Sequence, residues 1–380
     1  MNFDFTETQQ MIRETARKFA EEELAPDSIE RDEKEEFPHG GIKKLGELGF
    51  MGMMVPEEYG GAGLDMVSYI LALEEISRVD ASAGVIMSVN NSLVCFGLNE
   101  WGNDFQKEKY LKPLASGNAL GAFALSEPEA GSDASNQRTT ATRAGEHYLL
   151  NGTKNWITNG SNADYVLVMA TTDRAQGSHG ISTFIVEKGI PGFSIAKKEK
   201  KLGIRSSDTV SLSFQDCRVP AGNRVGDEGF GFKFAMQTLD GGRIGIAAQA
   251  YGIAAASLDA ALRYSQQRKA FEKPIFEFQA IQFKLAEMAT KVDAAQLLIL
   301  KAAMLKKDRM PYGKHAAMAK LFASKIAVEC ALEAIQIHGG YGYVREYLVE
   351  RYLRDAKITE IYEGTSEIQH LVIARSLLKE

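Results

Sequence analysis

A glutamate near the end of the chain has the surroundings of a candidate catalytic base. Glu363 lies in TEIYEGTSEIQHL, residues 359–371, between a tyrosine and a Gly-Thr turn, with isoleucines nearby. Its carboxylate is either a solvated loop charge or an anion held against an apolar pocket. In a water-poor pocket the pKa of a carboxyl group rises toward neutral pH, which suits a base that removes a proton from a substrate. The two interpretations predict different proteins.

Two further segments are small and polar among apolar neighbours. The first is FALSEPEAGSD at 123–133. Its composition favours a turn-rich linker between domains, and the alternative is a strip that hydrogen-bonds one edge of a planar heterocycle. The second is NWITNG at 155–160, where a tryptophan begins a predicted strand. A core tryptophan is the common explanation, and a wall for a stacked cofactor is the alternative.

Common nucleotide, metal and hydrolase motifs are missing. No GxGxxG follows a predicted strand, and GxxxxGK[ST], HExxH and GxSxG are absent from the sequence. Cys95, Cys217 and Cys330 have no CxxC or CxxH spacing, so we expect neither a zinc site nor a disulfide framework. We predict no metal site and a reducing location.

Composition and charge are those of an ordinary globular chain. The 380 residues are 45% hydrophobic and 25% charged, enough for a large core in two or three domains. The net charge is −6 and the basic run KKEKK at 197–201 is short, so nucleic acid is not an expected partner. We find no secretion signal and no run of the roughly 18 apolar residues that a membrane span needs. We therefore expect a cytoplasmic protein.

Hydrophobic periodicity divides the chain into helices, then strands, then helices. Up to about Ser116 the spacing is helical, as in MVSYILALEEIS at 66–77. From Gly121 to about residue 230, short β-branched runs separated by turn residues predict antiparallel strands. Long helices follow, including one at 315–337. We predict an α+β fold, mostly α, with a helical domain at 1–118, a β-domain at 119–230 and a helical bundle at 231–380.

The same periodicity predicts particular faces and caps. Ser366 and Gln369 fit a capping box for the last helix. Gly49 fits the end of a short helix at 42–49. Helical spacing is also present in two sets of apolar residues near the start of the chain, Met11, Ala16, Phe19 and Ala20, and Ile42, Leu45 and Leu48. Met288, Val292, Ala295 and Ile299 are predicted to share one face of a long helix, and Ile368, Leu371 and Val372 to form the buried stripe of the last helix.

Five segments in order carry a resemblance to a known family. FALSEPEAGSD, NWITNG, RKAFEKPIFEFQ at 268–279, QIHGGYGY at 336–343 and RDAKITEIYEGTSEIQ at 354–369 together resemble the acyl-CoA dehydrogenases, most closely their short-chain, butyryl-CoA-type members. The resemblance covers essentially the whole chain. It implies a C-terminal four-helix bundle, a homotetramer built as a dimer of dimers, and electron transfer to an electron-transferring flavoprotein.

The resemblance also implies FAD between the β-domain and the bundle. Residues 123–132 match the stretch that lines the flavin, and 156–158 match the segment beside its ring. The segment 336–340 matches residues that reach the diphosphate and adenosine, partly across a subunit boundary. The implied FAD contacts are Phe123, Leu125, Ser126, Gly131, Ser132, Trp156, Ile157, Thr158, Arg268, Phe271, Gln279, Gln336, Ile337, His338, Gly339, Gly340, Thr365 and Glu367.

For the substrate, an acyl-CoA, the resemblance assigns Glu363 the role of base. It would take the α-proton while hydride passes from the β-carbon to flavin N5, giving the trans-2-enoyl-CoA. The thioester carbonyl would accept hydrogen bonds from the Glu363 N–H and a flavin ribityl hydroxyl. Asp240 and Arg243 match positions near the CoA, and Ser132 and Gly364 are the other implied substrate contacts.

Two comparisons within the resembled family narrow the substrate. The isovaleryl and long-chain branches carry their base in the stretch matching TLDGGRIGIA, 238–247, where this chain has Gly242. Glutaryl-CoA members carry an arginine in the stretch matching SVNNSL, 88–93, where this chain has Asn90 and Asn91. The resemblance thus favours Glu363 as base and a short, straight monocarboxylic chain such as butyryl-CoA.

The chain departs from the family pattern at Ala270, Glu272 and Leu348, and we expect Glu272 to face solvent. Three alternatives stay open. They are an oxidase-like flavoenzyme that uses O₂, a dehydrogenase for another chain length or a branched acyl group, and a non-catalytic family member. The retained Glu363 argues against the last.

Overall fold

The first part of the chain is a layer of helices. The computed structural model describes residues 4–378, and its first helices are α1 (Glu7–Phe19), α2 (Ser28–Lys34), α3 (His39–Glu47), α4 (Met66–Val79), α5 (Ala81–Ser88), α6 (Phe96–Trp101), α7 (Asp104–Gln106) and α8 (Lys112–Ala115). Short π turns continue three of them, at Ala20–Leu24, Val89–Cys95 and Lys107–Leu111. Side chains of Thr6, Asp65 and Asp80 accept hydrogen bonds from first-turn amides, which starts α1, α4 and α5.

The middle part is an eight-stranded sheet. Its strands are β1 (Gly121–Ala124), β2 (Thr140–Ala144), β3 (His147–Thr158), β4 (Tyr165–Thr171), β5 (Ile181–Glu187), β6 (Phe193–Lys198), β7 (Thr209–Pro220) and β8 (Arg224–Val225). The order is β6-β7-β3-β2-β4-β5-β8, with β1 also paired to β4. Most neighbours are antiparallel, but β1 and β2 each run parallel to β4.

The last part returns to helices. The long α9 (Gly231–Gln267) leads to a hairpin of β9 (Lys269–Ala270) and β10 (Lys273–Pro274), then to α10 (Gln279–Lys307), α11 (Gly313–His338), α12 (Val349–Thr359) and α13 (Ser366–Leu377). Helix α9 packs against α4, α10, α11 and α12. It is therefore the central element that joins the first and last parts of the chain.

Most of the predicted architecture is confirmed. The helix–strand–helix layout is present, the predicted face of α10 is buried, and Gly49 ends its helix with a φ of +75°. Strands β1 and β2 were not predicted.

Two predicted details of the last helix are wrong. Leu371, predicted to lie in the buried stripe of α13, is 48% exposed. The cap of α13 is Thr365, whose side chain accepts from the Ile368 N–H, rather than Ser366.

Two helical stretches are long and apolar enough to cross a membrane by length and composition, contrary to the prediction that no run is. They are Ala81–Trp101 and Gly231–Gln267. Inside the protein, 94% and 83% of their most apolar windows are buried. Both serve as core helices in this fold.

Candidate active site

The turn between α12 and α13 presents Glu363 in an uncommon backbone conformation. Glu363 has a φ of +51° and Gly364 a φ of +94°. Residues other than glycine rarely adopt such φ values, and a strained residue of this kind often lies at a functional site. Helix α12 ends at Thr359 and Thr365 caps α13, so the two residues lie in the short link between the helices. The link turns the Glu363 side chain toward α9.

The carboxylate of Glu363 lies against α9 at Gly242. A Cβ added at Gly242 would lie 2.1 Å from Glu363 Oε2 and 2.8 Å from Leu93 Cδ2, so only glycine leaves room for the acid. Oε2 is buried and has no hydrogen-bond partner in residues 4–378. Buried carboxylate oxygens normally have partners, so this one is free to receive a proton from a ligand. Gly242 lies where the resemblance places the base of other branches. In this chain it leaves room for the Glu363 carboxylate instead.

Burial sets the charge state of this group. It raises the pKa of Glu363 to about 7, while Lys320 and Arg243 act in the opposite direction. At that pKa a carboxyl group is partly ionised near neutral pH and can both take and hold a proton. The side chain therefore has the environment of a general base rather than of a solvated loop charge.

Polar groups form the wall beyond Glu363. The Tyr69 hydroxyl donates to Ser88 Oγ at 3.2 Å, and Ser88 Oγ lies 2.8 Å from a Cβ built at Gly245. The Tyr362 hydroxyl donates to the Gln249 side-chain oxygen. Each of these two pairs is satisfied by a hydrogen bond within the protein.

Asp240 and Arg243 lie together on α9, where they pair side chain to side chain. Arg243 is buried, and burial raises the pKa of Asp240 in spite of Arg243 and Lys306 nearby. Lys306 places its ammonium 4.2 Å from the ring centre of Phe96 and has no hydrogen-bond partner in the described chain. Both predicted CoA contacts thus lie within two residues of Gly242 on α9, the glycine against which the Glu363 carboxylate lies.

The 123–132 stretch and the end of β3 form a second group. The Asn155 N–H donates to the Ser126 carbonyl at 2.9 Å, which ties the two segments together. Trp156 is 62% exposed with a φ of +64°, so the core-tryptophan explanation is wrong and its indole is available as a wall. Around it, Phe123, Leu125 and Ile157 are buried, Ser126 and Thr158 are half-buried, and Gly131 and Ser132 are exposed.

A buried ion pair supports this stretch from below. Lys154 is fully enclosed, and its ammonium donates to the Leu125 carbonyl at 2.9 Å, to Glu127 at 2.8 Å and to Gln137 at 2.9 Å. Glu127 also accepts from the Arg138 and Thr139 amides. The Lys154 ammonium and both Glu127 carboxylate oxygens are thus fully paired, which fixes the course of the strip. A supported stretch that exposes Gly131 and Ser132, in a chain segment tied to the exposed Trp156, fits the edge of a flavin.

A third group surrounds a cavity of about 800 Å³ at the far end of α9. Arg268 has no ion pair among residues 4–378, and its guanidinium lies 5.6 Å from the ring centre of Tyr341. A Cβ at Gly339 or Gly340 would meet nothing within 4 Å, so the backbone is open to a ligand. The lining residues are Tyr264, Arg268, Ile275, Ile337, His338, Gly339, Gly340, Tyr341, Val344, Glu346 and Tyr347. An unpaired arginine beside an open glycine backbone fits a diphosphate.

Not every predicted contact lies in these groups. Phe271, Gln279 and Gln336 are exposed and do not line the cavity. Thr365 caps α13, and the exposed Glu367 follows it in the first helical turn. Glu272 is exposed, as predicted.

Several residues at Glu363 were not predicted, above all Lys320 and Gln249. A signal for Lys320 exists, since it shares the buried face of α11 with Ala316, Ala323 and Ala327.

Comparison with known proteins agrees with this geometry. The family models for the N-terminal, middle and C-terminal domains of acyl-CoA dehydrogenase match residues 6–118, 122–217 and 229–378. The mitochondrial short-chain specific acyl-CoA dehydrogenase of Mus musculus is 54% identical over 376 residues, covering 99% of this chain and 91% of that protein.

Two solved structures are similar over their whole length. Butyryl-CoA dehydrogenase from Megasphaera elsdenii has a TM-score of 0.98 and 50% identity, covering 100% of both chains. A chain solved in work on the electron-transferring flavoprotein of Acidaminococcus fermentans and flavin-based electron bifurcation has a TM-score of 0.99 and 53% identity, again covering 100% of both. The chain therefore belongs to the acyl-CoA dehydrogenase family of oxidoreductases, whose members are FAD flavoproteins.

Proposed function

We propose that the protein oxidises a short-chain acyl-CoA, butyryl-CoA in the first place, to the trans-2-enoyl-CoA, with Glu363 as the base. The observation that carries this proposal is the enclosed Glu363 carboxylate, which has no partner on Oε2 and a pKa near 7. The similarity to the mouse short-chain enzyme and to the Megasphaera butyryl-CoA enzyme supports the choice of substrate.

The chain's own groups account for the proton and for the developing charge. Glu363 would take the α-proton of the thioester, leaving that electron pair to form the double bond. FAD, when bound, supplies N5 as the acceptor of the hydride that leaves the β-carbon. The Glu363 N–H has no acceptor among the backbone hydrogen bonds of residues 4–378, so it can donate to the thioester carbonyl as negative charge grows there.

The wall along α9 favours a short acyl chain. Gly242 leaves room for Glu363, but three residues further on Gly245 already packs on Ser88 and Tyr69. Three residues of helix advance by about 4.5 Å, which is the length of a few carbon–carbon bonds. One turn later Gln249 is occupied by Tyr362 and by the Ala81 carbonyl. A longer chain would have to displace this closed wall.

The asparagines at 90 and 91 support a monocarboxylic substrate. Asn90 donates to the Met51 carbonyl and accepts from the Gly121 N–H, and Asn91 binds the backbone of Phe50 and Met53. Both side chains are buried and fully used in holding the fold. They offer no cation to a second carboxylate on the substrate.

Electron transfer and assembly extend the proposal to partners. We propose an electron-transferring flavoprotein as the electron acceptor. The similarity to the chain solved in the work on the electron-transferring flavoprotein of Acidaminococcus fermentans supports this choice. We propose a homotetramer as well, since the implied FAD contacts extend across a subunit boundary.

Anaerobic titration of the FAD-loaded protein with acyl-CoAs of four to sixteen carbons tests the proposal. We expect butyryl-CoA to bleach the flavin absorbance fastest, and Glu363→Gln to slow bleaching by at least about a thousandfold, since removal of a positioned base costs several kcal/mol. Bleaching of the Gln variant at the wild-type rate would show that another group is the base.

Glu360→Gln is the matched control, because Glu360 lies three residues earlier and, within residues 4–378, its carboxylate pairs only with Lys357. It should bleach like wild type. Rapid peroxide formation with butyryl-CoA in air and no other acceptor would instead indicate an oxidase.

A further inference from the structure

Lys320 is a buried lysine that the proposed chemistry does not use. Its side chain, on α11, is 0% exposed, and its ammonium donates to the Gly364 carbonyl at 2.8 Å. Burying a lysine is costly unless its charge is compensated. Burial lowers the pKa of Lys320 to about 8, and Glu363 is the first of the charges that act against this shift. The Lys320 ammonium therefore lies on the backbone next to Glu363, near enough for the two charges to interact.

The backbone that Lys320 contacts is the strained link that carries Glu363. Two consecutive residues there have positive φ, and such a link persists only when its surroundings hold it. The Gly364 carbonyl accepts from Lys320 and also from the Gln369 amide, at 2.8 Å each. Gln369 is anchored in α13, whereas Lys320 is anchored in α11. The link is thus held from two different helices.

Four groups face the Glu363 carboxylate from the elements packed around it. Lys320 of α11 and Arg243 of α9 carry positive charge, and both act to lower its pKa. Tyr69 of α4 and Tyr362 of the same link are neutral, since burial raises the pKa of each hydroxyl far above its usual value. Arg243 forms an ion pair with Asp240. Lys320 forms no ion pair with another acid in the described chain, so of the two cations its charge is the one left for Glu363.

We propose that Lys320 is a positioning residue of this active site, which holds the Glu363–Gly364 link through the Gly364 carbonyl and stabilises the negative charge of Glu363. The inference rests on the proposed role of Glu363 as base. It predicts that Lys320 acts on the reaction through Glu363, without contact to the substrate. Removing the charge should therefore change the pH at which the base becomes active.

The test is the pH dependence of flavin bleaching by butyryl-CoA in the FAD-loaded protein. Lys320→Met removes the charge and the donor, Lys320→Gln removes the charge and keeps a neutral donor on a shorter side chain, and Lys320→Arg keeps both. Lys325→Met is the matched control, because Lys325 is an exposed lysine on the same helix. Retained flavin absorbance and the thermal midpoint show which variants are folded.

In the Met and Gln variants we expect the midpoint of the plot of bleaching rate against pH to rise by about one pH unit. Below the midpoint this shift corresponds to an about tenfold slower rate. The Arg variant and Lys325→Met should keep the wild-type midpoint. The sign follows from the base: without Lys320 the carboxylate holds its proton to higher pH, so activity appears later as pH rises. The Gln variant decides the question if the Met variant does not fold.

A double-mutant cycle separates positioning from general damage. In a Glu363→Gln background, Lys320→Gln should cause no further pH-dependent change, because its charge acts on the Glu363 carboxylate. A further pH-dependent change there, or a wild-type midpoint in the folded Gln variant, would overturn the role of Lys320. If Glu363→Gln alone bleached like wild type, the proposed function itself would be wrong, and the two failures are therefore distinguishable.

Discussion

At the scale of single residues, two glutamates in one short segment have different surroundings. Glu363 is turned against α9, where burial raises its pKa to about 7. Glu367 is exposed in the first turn of α13, where its own backbone amide and the Thr365 side chain lower its pKa. Four residues of sequence thus separate a candidate base from a helix-start charge. The difference comes from the positive φ of Glu363, which the residue types in YEGT do not reveal.

Gly242→Ala should disable the proposed base without unfolding the protein. The added Cβ would lie 2.1 Å from Glu363 Oε2 and would push the carboxylate from its place. A misplacement of about 1 Å can cost a hundredfold in rate, so we expect bleaching by butyryl-CoA to fall by about that factor. The measurement is anaerobic stopped-flow absorbance of the FAD-loaded variant.

Gly241→Ala is the neighbour control for this prediction. Its Cβ would meet the end of the flexible Lys306 side chain rather than the base. The fall in bleaching rate should therefore be much smaller in Gly241→Ala than in Gly242→Ala. Equal rates in the two variants would show that the Glu363 carboxylate does not need its place beside Gly242.

At the scale of elements, α4 carries two neighbouring buried glutamates with opposite chemistry. Glu75 is paired with Arg13 and Arg17, and although burial acts against ionisation, these partners lower its pKa. Glu74 accepts only from Gln296 of α10, at 3.1 Å, and its Oε1 has no partner in residues 4–378. Burial therefore raises the pKa of Glu74 to about 8. The packing of α4 against α9 and α10 holds a protonated acid.

Glu74→Gln should remove a pH dependence of stability. In the folded wild type Glu74 keeps its proton up to about pH 8, whereas in the unfolded chain it loses the proton above its ordinary pKa of 4.5. The contribution of Glu74 to the free energy of unfolding is therefore complete below pH 4.5 and is lost as pH rises to about 8. Glutamine imitates the protonated acid at every pH. Between pH 5 and 8 the free energy of unfolding of the variant should rise relative to that of wild type, by on the order of a few kcal/mol.

Thermal unfolding of both proteins from pH 5 to 9 measures this difference. Glu75→Gln serves as the contrast, because loss of a buried ion-pair partner should destabilise the protein over the whole range. Parallel pH curves for wild type and Glu74→Gln would contradict the assignment of a neutral Glu74.

Elements also show how far the sequence predicts this structure. Alternation and turn residues identify β3 to β7, and periodicity identifies α4, α10 and α11. β1 and β2 escape because GAFA and TATRA are short and lie beside the polar 123–133 stretch. The site is predicted less completely, since family resemblance points to Glu363 and Arg268, whereas Lys320 and Gln249 act through tertiary contacts between helices distant in sequence.

At the scale of the whole molecule, the last helices leave apolar side chains uncovered. On α10, Phe283 is 67% exposed, Leu297 50% and Met304 46%. Their spacings of fourteen and seven residues place them along one side of the helix. Exposed apolar rows of this kind mark contact surfaces between proteins. The predicted stripe of α13 is also open at Leu371, which agrees with a surface that a second copy of the chain covers in the proposed tetramer.

Phe283→Glu combined with Leu297→Glu should therefore break the proposed tetramer. Placing charges in an apolar contact costs several kcal/mol, enough to separate subunits at micromolar concentration. Because the implied FAD contacts cross a subunit boundary, the separated chains should also lose FAD on gel filtration. Met11→Glu is the control, since Met11 is an equally exposed apolar residue on α1 and away from the row. Sedimentation velocity gives the assembly state, and a wild-type monomer, or a variant that stays tetrameric with FAD bound, would contradict the assignment of this face.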